Sequence, residues 1–199
     1  MKRTIVVNLF GGPGTGKSTG ATAVFSALKK DGIDAEYVSE FAKDKVWERN
    51  GKVFQCQMYV TGKQLFKISR CIGEVDVVIT DSPVLMGVVY AQDDEPLKAA
   101  IVHEAKQFDN VNVFLKRVKP YNPNGRFQTE EEAKKLDGVI YDLLKKSGEG
   151  YFVATADDTG YKQVTRLIEQ LLEEIKFEDD VDLGSAQEVP VRAALKKGE

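Results

Sequence analysis

The sequence predicts a three-layer α/β domain in which a five-stranded parallel sheet is covered by helices on both faces. Short runs of mostly apolar residues indicate strands buried on both sides, which is typical of parallel sheets. These runs alternate with segments whose apolar residues recur at helical spacing. The 199 residues are enough for one such domain with a terminal extension.

The predicted elements follow one another in chain order. The first strand is apolar except at Thr4 and Asn8 and is followed by glycines, and the first helix places Ala21, Val24, Phe25 and Leu28 on one face. A capping box at Thr129 and Glu132 opens a later helix. The predicted strands are 4–10, 35–39, 75–80, 111–115 and 151–155, and the predicted helices are 17–30, 41–49, 54–72, 82–90, 96–107, 129–146 and 158–176. Helical periodicity then fails, so we expect a domain over residues 1–176 and an acidic, flexible tail over 177–199.

Composition excludes several classes of protein. Two cysteines, Cys56 and Cys71, give no disulfide framework or zinc motif, and the single His103 excludes a three-histidine metal site. No apolar run approaches the ~20 residues of a membrane span, so we expect a cytoplasmic protein without a membrane partner. The net charge of −3 resides in the predicted tail, because acidic and basic residues balance over 1–176. Nucleic acid would therefore bind only through a local basic patch.

Residues 11–18, GGPGTGKS, fit the pattern G-x-x-x-x-G-K-[ST] directly between a predicted strand and a predicted helix. Glycines in this pattern let backbone N–H groups turn toward phosphate oxygens, and the positive end of the helix adds to the attraction. The lysine reaches the β- and γ-phosphates, and the hydroxyl that follows it ligates Mg²⁺. A glycine-rich turn without a ligand is the alternative. The predicted nucleotide-binding residues are Gly11, Gly12, Pro13, Gly14, Thr15, Gly16, Lys17, Ser18 and Thr19.

Two carboxylates follow predicted strands. Asp81 ends the strand 75–80, where a phosphate-loop protein holds magnesium, so we predict Ser18 and Asp81 as the metal site. Glu40 follows the strand 35–39, and parallel strands bring their carboxyl ends to one crevice. There Glu40 is placed to accept the proton of an attacking hydroxyl. Helix capping is the alternative for both residues, and a second metal contact is a further one for Glu40.

Residues 116–128 are predicted to form a lid loop. The segment is rich in Pro, Asn and Gly, and it has four basic residues and no acidic one. Arginines that a lid brings over the γ-phosphate stabilise the charge that develops during phosphoryl transfer. We predict this role for Arg117 and Arg126, with Lys116 and Lys119 binding phosphate or a polymer backbone. A solvated basic loop is the alternative.

Four segments together resemble P-loop kinases of the nicotinamide riboside kinase-like and thymidylate kinase-like type, and especially small kinases of tailed bacteriophages. The segments are LFGGPGTGKST, VSEFAKD, VDVVITDSPVL and FLKRVKPYNPNGRFQTEEEA, in this order within residues 4–133. The resemblance implies a P-loop kinase fold, ATP with Mg²⁺ as the donor and a hydroxyl as the acceptor. Some similar phage kinases act on 5-hydroxymethyluracil inside DNA, and others look like kinases of free nucleosides or nucleotides.

The resemblance also implies roles for individual residues. The family often has an arginine after the Walker B aspartate, but Ser82 stands there in this chain, which leaves more of the phosphate binding to the lid. The matching positions are Lys17 and Ser18 for phosphate and magnesium, Asp81 for Walker B, Glu40 for the acceptor-binding carboxylate, and Arg117 and Arg126 for the lid arginines.

The acceptor is the open question. The helix 54–72 carries amides such as Gln64 and rings such as Tyr59, which suit pairing with or stacking on a base, unless the face is simply solvated. Trp47 is expected to pack in the core, and the alternative is support of an extruded base. Basic residues are dense here and can bind a DNA backbone if they share one rim. They are Lys43, Lys45, Arg49, Lys52, Lys63, Lys67 and Arg70.

Three functions therefore remain open. The first is a kinase of a nucleoside-type hydroxyl, in its sharpest form a hydroxymethylated base in DNA. The second is a kinase of a free nucleoside, a nucleoside monophosphate or nicotinamide riboside. The third is an ATPase switch whose only acceptor is water. The sequence does not predict the oligomeric state.

Overall fold

A computed structural model describes residues 2–122 and 129–193, with side chains as far as Glu178. It contains a five-stranded sheet in the order β2-β3-β1-β4-β5, in which every pair of neighbouring strands is parallel. The strands are β1 (Ile5–Phe10), β2 (Ala35–Val38), β3 (Val77–Thr80), β4 (Asp109–Lys116) and β5 (Tyr151–Thr155). The predicted α/β architecture is thus confirmed.

The helices alternate with these strands. They are α1 (Lys17–Lys30), α2 (Phe41–Trp47), α3 (Gln57–Ser69), α4 (Gly87–Tyr90), α5 (Glu95–Ala105), α6 (Glu130–Ser147) and α7 (Asp158–Ala193), with 3₁₀ turns at Gly51–Gln55 and Val84–Met86. The predicted helix 54–72 is wrong at its start, because Cys56 (φ −121°, ψ 84°) separates a 3₁₀ turn from α3. The predicted helix 82–90 begins as a 3₁₀ turn and becomes α-helical only at Gly87.

The central strand β1 sets the geometry of the site. All six of its residues are buried, as apolar residues on both faces require. Its register pairs Asn8 with Thr80, the last residue of β3, and β1 continues two residues further to Phe10. Val38 of β2 pairs with Thr80 as well. The chain segments that leave β1, β2 and β3 therefore lie along one edge of the sheet.

The chain divides into two units at Val164. The first contains the sheet and helices α1 to α6. The backbone of α7 is helical as far as Ala193, whereas the sequence predicts that this helix ends at residue 176. The domain boundary at residue 176 stays a prediction. Within the described residues, no helix combines the length and apolar character that a bilayer crossing needs.

Candidate active site

The phosphate loop has the backbone that its glycines allow. Gly14 (φ 73°) and Gly16 (φ 112°) adopt left-handed conformations, and Gly16 is the N-cap residue of α1. Lys17 turns back over the loop, and its Nζ donates to the carbonyl oxygens of Gly11 at 2.7 Å and Gly12 at 3.1 Å. Burial lowers the pKa of Lys17, while the nearby Glu40, among other carboxylates, opposes that shift. The lysine ammonium is thus held at the loop beside negative charge.

Asp81 lies at the end of β3 and is only 2% exposed. Its Oδ2 accepts a hydrogen bond from the Tyr37 hydroxyl at 3.0 Å. Its Oδ1 is buried and has no hydrogen-bond partner among the described residues. A buried carboxylate oxygen without a partner is costly, and it fits the water shell of a Mg²⁺ ion. The residues present therefore suit the predicted metal, which Ser18 and Asp81 would hold.

Tyr37 links the two predicted metal ligands and was not predicted from the sequence. Burial is the largest cause of its raised pKa, the charge of Asp81 adds to it, and the Ser18 hydroxyl acts in the opposite direction. Tyr37 is therefore neutral near neutral pH and donates its proton toward Asp81. Its strand position, before Glu40, gives no signal that distinguishes it from a packing tyrosine.

Glu40 occupies the N-cap position of α2, but its side chain makes no capping hydrogen bond. The N–H of Phe41 is instead satisfied by Oε1 of Gln64 at 2.9 Å. The interpretation of Glu40 as a helix cap is therefore wrong. Burial raises the pKa of Glu40, Lys17 lowers it, and Asp81 raises it further. Glu40 also acts with burial to raise the pKa of Tyr90 to about 12, which places a second unpredicted hydroxyl nearby.

Arg117 lies directly after β4 rather than on an open loop. The predicted lid therefore starts one residue too early, because Lys116 is the last residue of β4. Arg117 forms an ion pair with Asp137 of α6, with Nε 2.9 Å from Oδ2. Its Nη2 donates to the Pro13 carbonyl at 2.9 Å. This arginine thus contacts the phosphate loop itself, while Arg126 lies outside the described residues.

The surface of α2 and α3 differs from the sequence-based expectations in three respects. Trp47 is 68% exposed, so the prediction of core packing is wrong. Gln64 is buried and its amide bonds to Phe41 and Thr80, so it is not free to read a base. Lys67 donates to the Ser39 carbonyl at 2.6 Å, which removes it from the predicted basic rim.

What remains on this surface is a mixture of exposed rings and basic side chains. Phe66 is 66% and Tyr59 45% exposed. The Lys63 ammonium lies 5.5 Å from the Tyr59 ring centre. Tyr59 in turn packs edge-on against Phe41 at 5.8 Å. We call this surface, formed by Phe41, Tyr59, Lys63 and Phe66, the aromatic face.

The comparison with protein families agrees with this geometry. A family model described as an AAA domain matches residues 6–161, which include the sheet, the phosphate loop, Glu40, Asp81 and Asp137. The chain belongs to this family. It is a family of P-loop NTPases, so the chain has a nucleotide-binding domain of an enzyme class that acts on nucleotides. No curated protein matches the chain.

Proposed function

We propose that the protein is an ATP-dependent phosphotransferase that moves the γ-phosphate to a hydroxyl group of a nucleoside-type acceptor. Glu40 carries this proposal. Its carboxylate takes no part in capping α2, has a pKa raised by burial, and lies close enough to Lys17 and Asp81 for their charges to act on it. A carboxylate poised in this way suits acceptance of a proton from an attacking hydroxyl.

In the proposed reaction, the phosphate-loop amides and Lys17 bind the β- and γ-phosphates. Ser18 and Asp81 hold Mg²⁺, which neutralises charge on the phosphate oxygens when bound. Glu40 takes the acceptor proton as the hydroxyl oxygen bonds to the γ-phosphorus. The bond from that phosphorus to the bridging oxygen breaks, and ADP leaves. Arg117 and Arg126 stabilise charge on the transferred group.

Our most specific proposal for the acceptor is 5-hydroxymethyluracil in phage DNA. The aromatic face supports it, because exposed rings interleaved with basic side chains suit stacking of bases and contact with a phosphate backbone. This face begins at Phe41, directly after the proposed base Glu40. A polymer lying across it would pass the reacting centre.

A free nucleoside, a nucleoside monophosphate or nicotinamide riboside is the second candidate. The overall charge of −3 favours it, and so does the engagement of Lys67 and Lys45 in bonds within the chain. An ATPase switch, with water as its acceptor, is the third candidate, and membership of an AAA domain family is the observation in its favour.

One labelling experiment separates the three. The protein is incubated with Mg²⁺ and γ-labelled ATP beside unmodified DNA, DNA with 5-hydroxymethyluracil, and a panel of free nucleosides and monophosphates. Label in the hydroxymethylated DNA alone, with a steep loss of binding as salt rises, supports the first candidate. Label in a small molecule supports the second. Release of inorganic phosphate at one rate in every tube contradicts a kinase.

A further inference from the structure

The presence of glycine at position 12 is explained by its packing and not by the phosphate-loop pattern. The pattern G-x-x-x-x-G-K-[ST] requires Gly11 and Gly16 but leaves the position of Gly12 open. A Cβ atom on Gly12 would lie 2.6 Å from the Ala133 carbonyl oxygen and 2.7 Å from Oδ1 of Asp137. Helix α6 therefore approaches the loop so closely at this residue that no side chain fits.

Asp137 forms the centre of this contact. Its Oδ1 accepts a hydrogen bond from the backbone N–H of Gly12 at 2.6 Å. The Thr15 hydroxyl lies 3.2 Å from the same oxygen and donates to the Gly12 carbonyl at 2.6 Å. The carboxylate thus binds the phosphate loop through the Gly12 N–H.

The same carboxylate fixes Arg117. Oδ2 of Asp137 accepts from Nε at 2.9 Å, and Oδ1 accepts from Nη2 at 3.2 Å, which is the bidentate geometry of a strong pair. Nη2 also reaches Pro13 and Thr15. Nη1 is buried and has no hydrogen-bond partner in the part of the chain that the structure describes. Because the charge of Arg117 lowers the pKa of Lys17, the two cations share one site.

We propose that Asp137 is a positioning residue for phosphate binding. It holds the loop through Gly12, and it orients Arg117 so that Nη1 is the guanidinium nitrogen left to bind a phosphate oxygen. This inference rests on nucleotide binding, not on transfer to an acceptor, so it survives if the proposed kinase activity fails.

Nucleotide affinity measured by calorimetry tests the proposal. We compare ADP and a non-hydrolysable ATP analogue, each with Mg²⁺, in the unaltered protein, Asp137→Ala, Asp137→Asn and Arg117→Ala. Asp137→Ala should weaken both ligands about tenfold or more, since it removes the acceptor for Gly12 and leaves Arg117 unpaired. Asp137→Asn keeps an oxygen for the Gly12 N–H and should restore part of that loss.

Two further comparisons distinguish positioning from general support of the fold. Asp142→Ala is the matched control, because Asp142 lies on the same helix and pairs with Lys145, at 3.8 Å. It should leave both affinities unchanged. The double variant Asp137→Ala, Arg117→Ala should lose less than the product of the two single losses. The proposal is overturned if the folded Asp137→Asn and Asp137→Ala variants bind the nucleotides as tightly as Asp142→Ala does. Equal losses in Asn and Ala variants, with a matching fall in Tm, would overturn it too.

Discussion

The substitution Glu40→Gln tests the proposed base with little disturbance of the structure. Glutamine keeps the length and shape of the side chain but cannot take a proton. Since Glu40 makes no capping hydrogen bond, the start of α2 stays satisfied by Gln64. A general base contributes about 10²- to 10⁴-fold to a rate. At about 1.36 kcal/mol for each factor of ten, the barrier to transfer should rise by about 3–5.5 kcal/mol.

Nucleotide affinity should change far less. Glu40 acts on Lys17 through its charge and not through a direct bond, and partly exposed charge pairs contribute up to about 1 kcal/mol. The affinity of Glu40→Gln for the ATP analogue should therefore stay within about fivefold of the unaltered protein. Loss of turnover with retained binding is the pattern that distinguishes a proton acceptor from a phosphate-binding residue.

The same variant should be more stable than the unaltered protein at neutral pH. Burial raises the pKa of Glu40, so the folded state holds this proton at a pH where the unfolded state has lost it. Stability then falls as pH rises from the ordinary glutamate pKa through the raised one. Glutamine does not ionise and so avoids this loss of stability. The variant should therefore have a higher Tm than the unaltered protein above the raised pKa of Glu40, and no such gain below the ordinary glutamate pKa.

Three measurements test the role of Glu40. They are single-turnover transfer, calorimetry of nucleotide binding, and thermal unfolding from pH 4 to pH 8. Glu36→Gln is the control, because Glu36 is exposed on the same strand β2. Transfer by Glu40→Gln within a few-fold of the unaltered rate would refute the base role. A Tm that falls at neutral pH would refute the reasoning from burial, even if transfer were lost.

Two further substitutions probe the phosphate and metal ends of the site. Lys17→Ala should abolish measurable transfer and weaken the ATP analogue strongly, while Lys29→Ala at the far end of α1 should do neither; near-normal transfer would contradict the phosphate-site assignment. Tyr37→Phe removes the donor to Oδ2 of Asp81 and should lower the free energy of unfolding without ligand by about 1–3 kcal/mol, measured in urea. Unchanged stability in that variant would mean that the hydrogen bond has no energetic role.

The parts of the site that the sequence predicted lie at the ends of strands. The phosphate loop, Glu40 and Asp81 each follow an apolar run, and parallel pairing with a common register brings such positions to one edge. The local sequence pattern is sufficient to predict these residues, because the order and register of the parallel strands place residues that follow a strand at the same edge of the sheet. The family match supports the nucleotide-binding loop, while the roles of the two carboxylates stay predictions.

The parts that the sequence did not predict depend on contacts between distant segments. Asp137 lies 125 residues after Gly12, and Tyr37 lies 44 residues before Asp81. Neither belongs to a motif. Trp47 was misassigned for a different reason, because α2 is a seven-residue helix with no buried residue, so it offers no core for the ring to enter. The predicted helix 54–72 starts too early because the helical spacing of apolar residues continues through the 3₁₀ turn before α3. No glycine or proline marks the break at Cys56.

The charges at the site bear on the form in which a nucleotide binds. Asp137 neutralises Arg117 in a bidentate pair. Lys17 then faces two carboxylates, Glu40 and Asp81, both of which act to raise its pKa. When all five groups are ionised, three negative charges stand against two positive ones, so these groups do not by themselves attract a triphosphate. The loop amides and the end of α1 offset part of that repulsion. We propose that a divalent cation entering with the triphosphate would offset more of it by pairing with Oδ1 of Asp81, which has no hydrogen-bond partner among the described residues. We therefore expect the protein to bind the magnesium complex more tightly than the free nucleotide, whichever acceptor it uses.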